Sequence, residues 1–197
     1  MKNILQKIST IFILTTTIFI LGVSNLYAQN NYTQNGFISE FRAGVLFHSV
    51  DRPGPNGEAL NLTRFEDISF EVLFASPDVD VFRWIGSPRP NFGATINLNG
   101  RESKIHLALT WQMQIFESNF FIEGSLGAAL HDGAISGVSE PARNLGSRIL
   151  FYEALGLGMN ITNNMNIILF AEHASNANLV QPNNGLSNIG VKLGYKF

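Results

Sequence analysis

The sequence predicts an all-β protein, an eight-stranded antiparallel transmembrane β-barrel of the outer membrane. Three observations carry that expectation. The chain opens like an exported protein, with Lys2 and Lys7 flanking a basic head, an apolar stretch from Ile8 to Val23, and Ala28 in "SNLYAQN" as a small residue at a cleavage point. Eight later stretches alternate polar and apolar residues with period two. The turns between them alternate between short and long, as they do in bacterial barrels. The expected organisation is therefore a signal peptide over 1–28 and one barrel domain over 29–197.

The first stretch, about 37–48, carries Glu40 and Arg42, and the second, 65–75, opposes Ile68, Phe70, Val72 and Phe74 to Asp67, Ser69 and Glu71. From 90 to 98, Phe92, Ala94, Ile96 and Leu98 oppose Asn91, Gly93, Thr95 and Asn97. The clearest alternation lies in 103–115, where Ile105, Leu107, Leu109, Trp111, Met113 and Ile115 share one face. The stretch 119–130 follows after the short link "ESN". In 147–159 Glu153 falls in phase with Phe151 and Leu155, so its facing stays open. Strand seven, 165–175, is separated from it by "NITNN", and strand eight, 186–197, aligns Ile189, Val191, Leu193, Tyr195 and the final Phe197. A terminal Phe on an amphipathic strand resembles the ending of outer-membrane barrels. Closure is required because an open strand edge in lipid would leave backbone groups without partners.

With a periplasmic N-terminus, the links after strands one, three, five and seven face outward, and those after four and six are short periplasmic turns. The link 76–89, after strand two, is an exception in length and holds Trp84 and two prolines. Inside the barrel, Glu40, Arg42, Asp67, Glu71, His106 and Gln112 form an expected polar network, with Glu172 joining Lys192 and Lys196. An eight-stranded barrel has room for little more than side chains, which disfavours a transport pore.

Composition narrows the partners. The formal net charge is −2 and no Lys/Arg cluster stands out, so a nucleic-acid partner is not expected. There is no cysteine, which rules out disulfides and Cys metal sites. His48, His106 and His131 lie on different strands or rims without metal-ligand spacing, so no metal site is expected. Asp78 and Asp80 sit beside Pro77, where turn geometry explains them.

The chemistry concentrates in "HASNANLVQPNNG", residues 173–185. His173 and Ser175 continue the face of Met165, Ile167, Leu169 and Ala171, which is assigned to lipid at the outer rim. Residues i and i+2 of a strand are roughly 6–7 Å apart on one face, close enough for an imidazole to reach a hydroxyl. Such a pair can attack an ester carbonyl, with His as base and then acid, while amides or turn N–H groups receive the oxyanion. His-x-Ser alone is a weak motif, because interfacial loops are rich in these residues.

The string His173-x-Ser175-Asn176-Ala177, followed by Asn183-x-Gly185 before a last strand, resembles the lipid A 3-O-deacylase family, the PagL-type outer-membrane esterases. "GSPRPNFGATIN" (86–97) and "NLGSRILFYEALGLG" (144–158) resemble further family segments. The resemblance implies an eight-stranded barrel that hydrolyses the 3-O-linked acyl chain of lipid A in the outer leaflet, without metal or cofactor. It implies His173 as base, Ser175 as nucleophile, Asn183 as an oxyanion contributor, and Asn176, Ala177 and Gly185 as residues that shape the loop.

One position departs from the family pattern. The family acid aligns fourteen residues after the His, where this chain has Ser187. Ser187 is in phase with Ile189 and Val191 and can hydrogen-bond to the imidazole, but it brings no charge. Glu172 is adjacent in sequence, yet its side chain leaves on the opposite face. A second reading, from another class, is a non-catalytic small barrel binding a partner through the loops 49–64 and 131–146. It predicts that Ser175→Ala leaves function intact.

Overall fold

The computed structural model describes residues 36–58 and 60–197, and the expected signal peptide and its cleavage point lie outside them. Eight strands form one closed antiparallel barrel in which each pairs with its chain neighbours and the last closes on the first. They are β1 (Ile38–Phe47), β2 (Phe65–Phe74), β3 (Arg89–Asn97), β4 (Lys104–Gln114), β5 (Phe120–His131), β6 (Ile149–Asn160), β7 (Met165–Ser175) and β8 (Leu186–Lys196). Every expected stretch is a strand, with ends displaced by at most two residues and 165–175 matched at both. Closure runs through β1 and β8, where Phe41 opposes Tyr195 and Val45 opposes Val191.

Two ends follow from this topology. The links after β1, β3, β5 and β7 gather at one, the long-loop end. The tight turns after β4 and β6 gather at the other, the terminal end, with the link between β2 and β3. That link contains a short helix, α1 (Asp80–Trp84), where the sequence shows only a long connection. Arg83 holds it by reaching Asp78 and Asp80, both at 2.9 Å. The Trp111 indole N–H, on the outer face of β4, donates to Ile85 O at 2.7 Å, so this link lies against the barrel wall.

The alternation decides which side chains meet lipid. Leu107, Phe151, Leu169 and Leu193 point out and are more than half exposed. The opposite phase fills the interior with charge. The Arg42 guanidinium donates to Glu40 at 2.8 Å and to Glu123 at 2.7 Å, and Arg89 joins Glu40 to Gln112, each at 2.7 Å. Higher up, Lys104 donates to Glu172 at 2.6 Å, Lys192 pairs with Glu71, and His106 stacks on Tyr152. Glu172 therefore takes its hydrogen-bonded cation from β4, with the expected Lys192 of β8 also acting on it, while Lys196 donates to Asn160 at 2.6 Å near the terminal end. Buried charges are tolerated only when so paired and hydrogen-bonded.

Apolar packing closes the interior beneath the long loops. Ala108, Ala129, Leu145, Leu150, Tyr152, Ala154, Ala174 and Leu186 form one buried cluster. Leu145 belongs to the β5–β6 link and Leu186 opens β8, so this cluster ties the third long link to the floor of the β7–β8 link.

Candidate active site

Alternation along β7 turns Glu172 and Ala174 inward, fully buried, and leaves His173 on the outer face. Ser175 continues that outer phase but is only 5% exposed. Three strands align at this level: Glu153 of β6 opposes His173 of β7, which opposes Ser187 of β8. One residue pair further up, Phe151 opposes Ser175.

His173 Nδ1 and Ser187 Oγ are 2.7 Å apart. With Nδ1 protonated, the ring donates to the Ser187 hydroxyl and presents Nε2 as an acceptor, the state a general base needs. The ring also requires Gly185. A Cβ there would lie 2.9 Å from His173 Cε1, and its φ of +62° is one that L side chains seldom adopt. Gly185→Ala is accordingly expected to displace the imidazole and lower activity at least tenfold while the barrel still folds, as checked by turnover and by heat-modifiable gel mobility.

The link after Ser175 is braced from three directions. The Asn176 amide donates to Leu145 O at 3.0 Å and to Val180 O at 2.9 Å. Asn183 Oδ1 accepts from Asn176 N–H at 3.3 Å, and its amide donates to Asn178 at 3.3 Å, so this side chain buttresses the loop. Ala177 and Asn178 both have positive φ, and the Ala177 N–H approaches Ser175 Oγ at 3.5 Å. A backbone donor therefore stands beside the hydroxyl, a feature of conformation that residue types do not reveal.

Arg143, only 3% exposed, is the keystone between loops. It donates to Asn184 O and to Ser49 Oγ, at 2.9 and 2.8 Å, and pairs with Asp51. Its N–H donates to Glu102 at 2.6 Å, and Glu102 also meets His48. Burial pushes the Glu102 carboxyl up, but the His48 ring and the Arg143 N–H outweigh it and hold it at about 2. All four links at this end are thus coupled through one polar cluster. Sequence reasoning passed over Arg143, because an isolated Arg in a Gly-rich loop gives no pattern.

The structure brings His173, Ser175, Ser187 and Gly185 together, places Asn176 and Asn183 in the loop brace, and puts Glu153 on the outer face. A family model described as lipid A 3-O-deacylase (PagL) matches residues 74–196, which covers β3 to β8 and every residue of this cluster. The chain belongs to that family. The lipid A deacylase PagL of Pseudomonas aeruginosa is 38% identical over 71 residues, 36% of this chain and 39% of its own length. The chain thus matches well under half of that curated relative. A crystal structure of the outer membrane enzyme PagL superposes with a TM-score of 0.53 at 19% identity, covering 81% of this chain and all of that one, which supports the fold. A PagL-family chain closed into a barrel with an apolar exterior is an outer-membrane protein of bacteria.

Proposed function

We propose that this PagL-family protein is an esterase that removes the 3-O-linked acyl chain of lipid A, with its long-loop end toward the outer leaflet. The observation that carries this reading is the outward His173 and Ser175 pair, with the imidazole hydrogen-bonded at Nδ1 to Ser187. A nucleophile facing the acyl chains suits a substrate that never leaves the membrane. Phe151, 58% exposed and opposite Ser175, offers an apolar surface to the chain being cut.

In the first half-reaction Ser175 Oγ attacks the ester carbonyl carbon while His173 Nε2 takes the hydroxyl proton. The carbonyl oxygen becomes an oxyanion, and the Ala177 N–H, with Asn183 if its amide turns, is placed to donate to it. The carbon–oxygen bond to the sugar then breaks, and the imidazolium returns the proton to the departing sugar oxygen. In the second half, His173 takes a proton from water as the water oxygen attacks the acyl-serine. The fatty acid leaves, and Ser175 recovers its proton from His173.

Mass spectrometry of lipid A from cells expressing the protein tests this. Wild type is expected to convert lipid A to a species lighter by one 3-hydroxyacyl chain, and Ser175→Ala is expected to leave it unchanged. Identical lipid A in both strains would overturn the reading.

A further inference from the structure

The register at the site places a carboxylate where none is expected on a lipid-facing wall. Glu153 occupies the outward row of β6 between Phe151 and Leu155, and on the β5 side it opposes Leu126. On the β7 side it opposes His173. Directly opposed residues of an antiparallel pair have Cβ atoms roughly 4.5–5.5 Å apart, well within reach of a Glu side chain. Glu153 is 6% exposed and accepts no hydrogen bond from any described residue. An acidic side chain in such a row is costly unless it serves a purpose. Of the two residues directly opposed to it, Leu126 and His173, His173 is the polar one.

The two flanks of the imidazole differ in kind. Ser187 on β8 offers a neutral hydroxyl to Nδ1 at 2.7 Å, which holds the ring's orientation. Glu153 on β6 brings a carboxyl group to the other flank and makes no such bond. In a serine-esterase triad one acid normally does both, orienting the ring and stabilising the imidazolium that forms. We propose that in this protein those duties are divided: Ser187 orients His173, and Glu153 is the charge partner that stabilises its imidazolium from the neighbouring strand. This rests on His173 and Ser175 forming the reactive pair proposed above. Glu153 acts through His173 and is a positioning residue, not one that touches the substrate.

The other charges facing the ring do not substitute. Asp51 and Arg143, from the β1–β2 and β5–β6 links, are paired with each other, and Lys104 is held inside by Glu172. Glu153, by contrast, opposes the ring from β6 and has no ion pair or hydrogen bond with a described residue.

The test is labelling of Ser175 by a fluorophosphonate probe, with purified protein in detergent micelles, across pH and for wild type, Glu153→Gln, Ser187→Ala and the double variant Glu153→Gln/Ser187→Glu. The probe phosphonylates an activated serine without needing lipid A. Glu153→Gln is expected to slow labelling about 10- to 100-fold, below the roughly 10⁴ lost when a protease loses its orienting acid, because Ser187 still holds the ring. Removing the carboxylate disfavours the imidazolium, so the acidic limb of the pH profile should move to lower pH. Ser187→Ala should slow labelling without moving that limb. The double variant, with a carboxylate restored on the other flank, should regain most of the rate.

An unchanged rate and limb in folded Glu153→Gln would overturn the division of roles, as would a failure to label Ser175 in wild type. A protein that labels with these dependences yet leaves lipid A intact would overturn the deacylase reading alone. Heat-modifiable gel mobility confirms that each variant is folded.

Discussion

His173→Ala and Ser175→Ala are each expected to reduce acyl release from lipid A by roughly 10⁴-fold or more, and the double variant is expected to be no worse than either single one. In the proposed mechanism base and nucleophile act as one unit. Without His173, the Ser175 hydroxyl is a poor nucleophile at neutral pH, and without Ser175 the imidazole has no attacking oxygen to deprotonate. Residual activity would come from the backbone donor at Ala177 and from binding through the apolar surface around Phe151, both of which survive in either variant. Acyl release from purified lipid A, measured for the three variants with folded barrels, checks this. Losses that multiply would mean that the two side chains act independently, contrary to a shared proton transfer.

The barrel was legible because its physics is one-dimensional. A strand between lipid and a polar interior must alternate, so β4 could be read almost residue by residue, and β7 revealed the facing of His173 without any coordinates. The Ser187 contact was legible for the same reason, since phase and hairpin order place it opposite His173. Three features were not legible. The facing of β6 stayed open because a carboxylate in an apolar row contradicts the rule used to read it, and the register with β7 was needed to give Glu153 a neighbour. The helix α1 is a single short turn held by Arg83 to two aspartates, too brief for a helical period to show. The Ala177 donor depends on a positive φ at an ordinary residue, and alanine carries no signal for that conformation.

The largest stability effect is expected at Arg42, well away from the long-loop end. Its guanidinium is 1% exposed and bridges Glu40 to Glu123, with Glu71 also 3.7 Å away. Arg89 offers Glu40 a second partner, but Glu123 has no other hydrogen bond to a described residue. Arg42→Ala would therefore strand carboxylates in an interior too narrow to hydrate them freely. Removing one partner of such a buried pair costs about 3–5 kcal/mol, whereas removing both charges together can be close to neutral. Urea unfolding in detergent micelles or vesicles should show Arg42→Ala losing stability in that range. Arg42→Met/Glu123→Gln should recover part of the loss, since Glu123 then no longer needs a cation. Arg42→Lys should fall between wild type and Arg42→Ala, because an ammonium keeps the charge but cannot reproduce the planar fork that spans two carboxylates. If Arg42→Ala were as stable as wild type, water would have to reach this layer, and the interior would be a wet lumen instead of a packed ionic core.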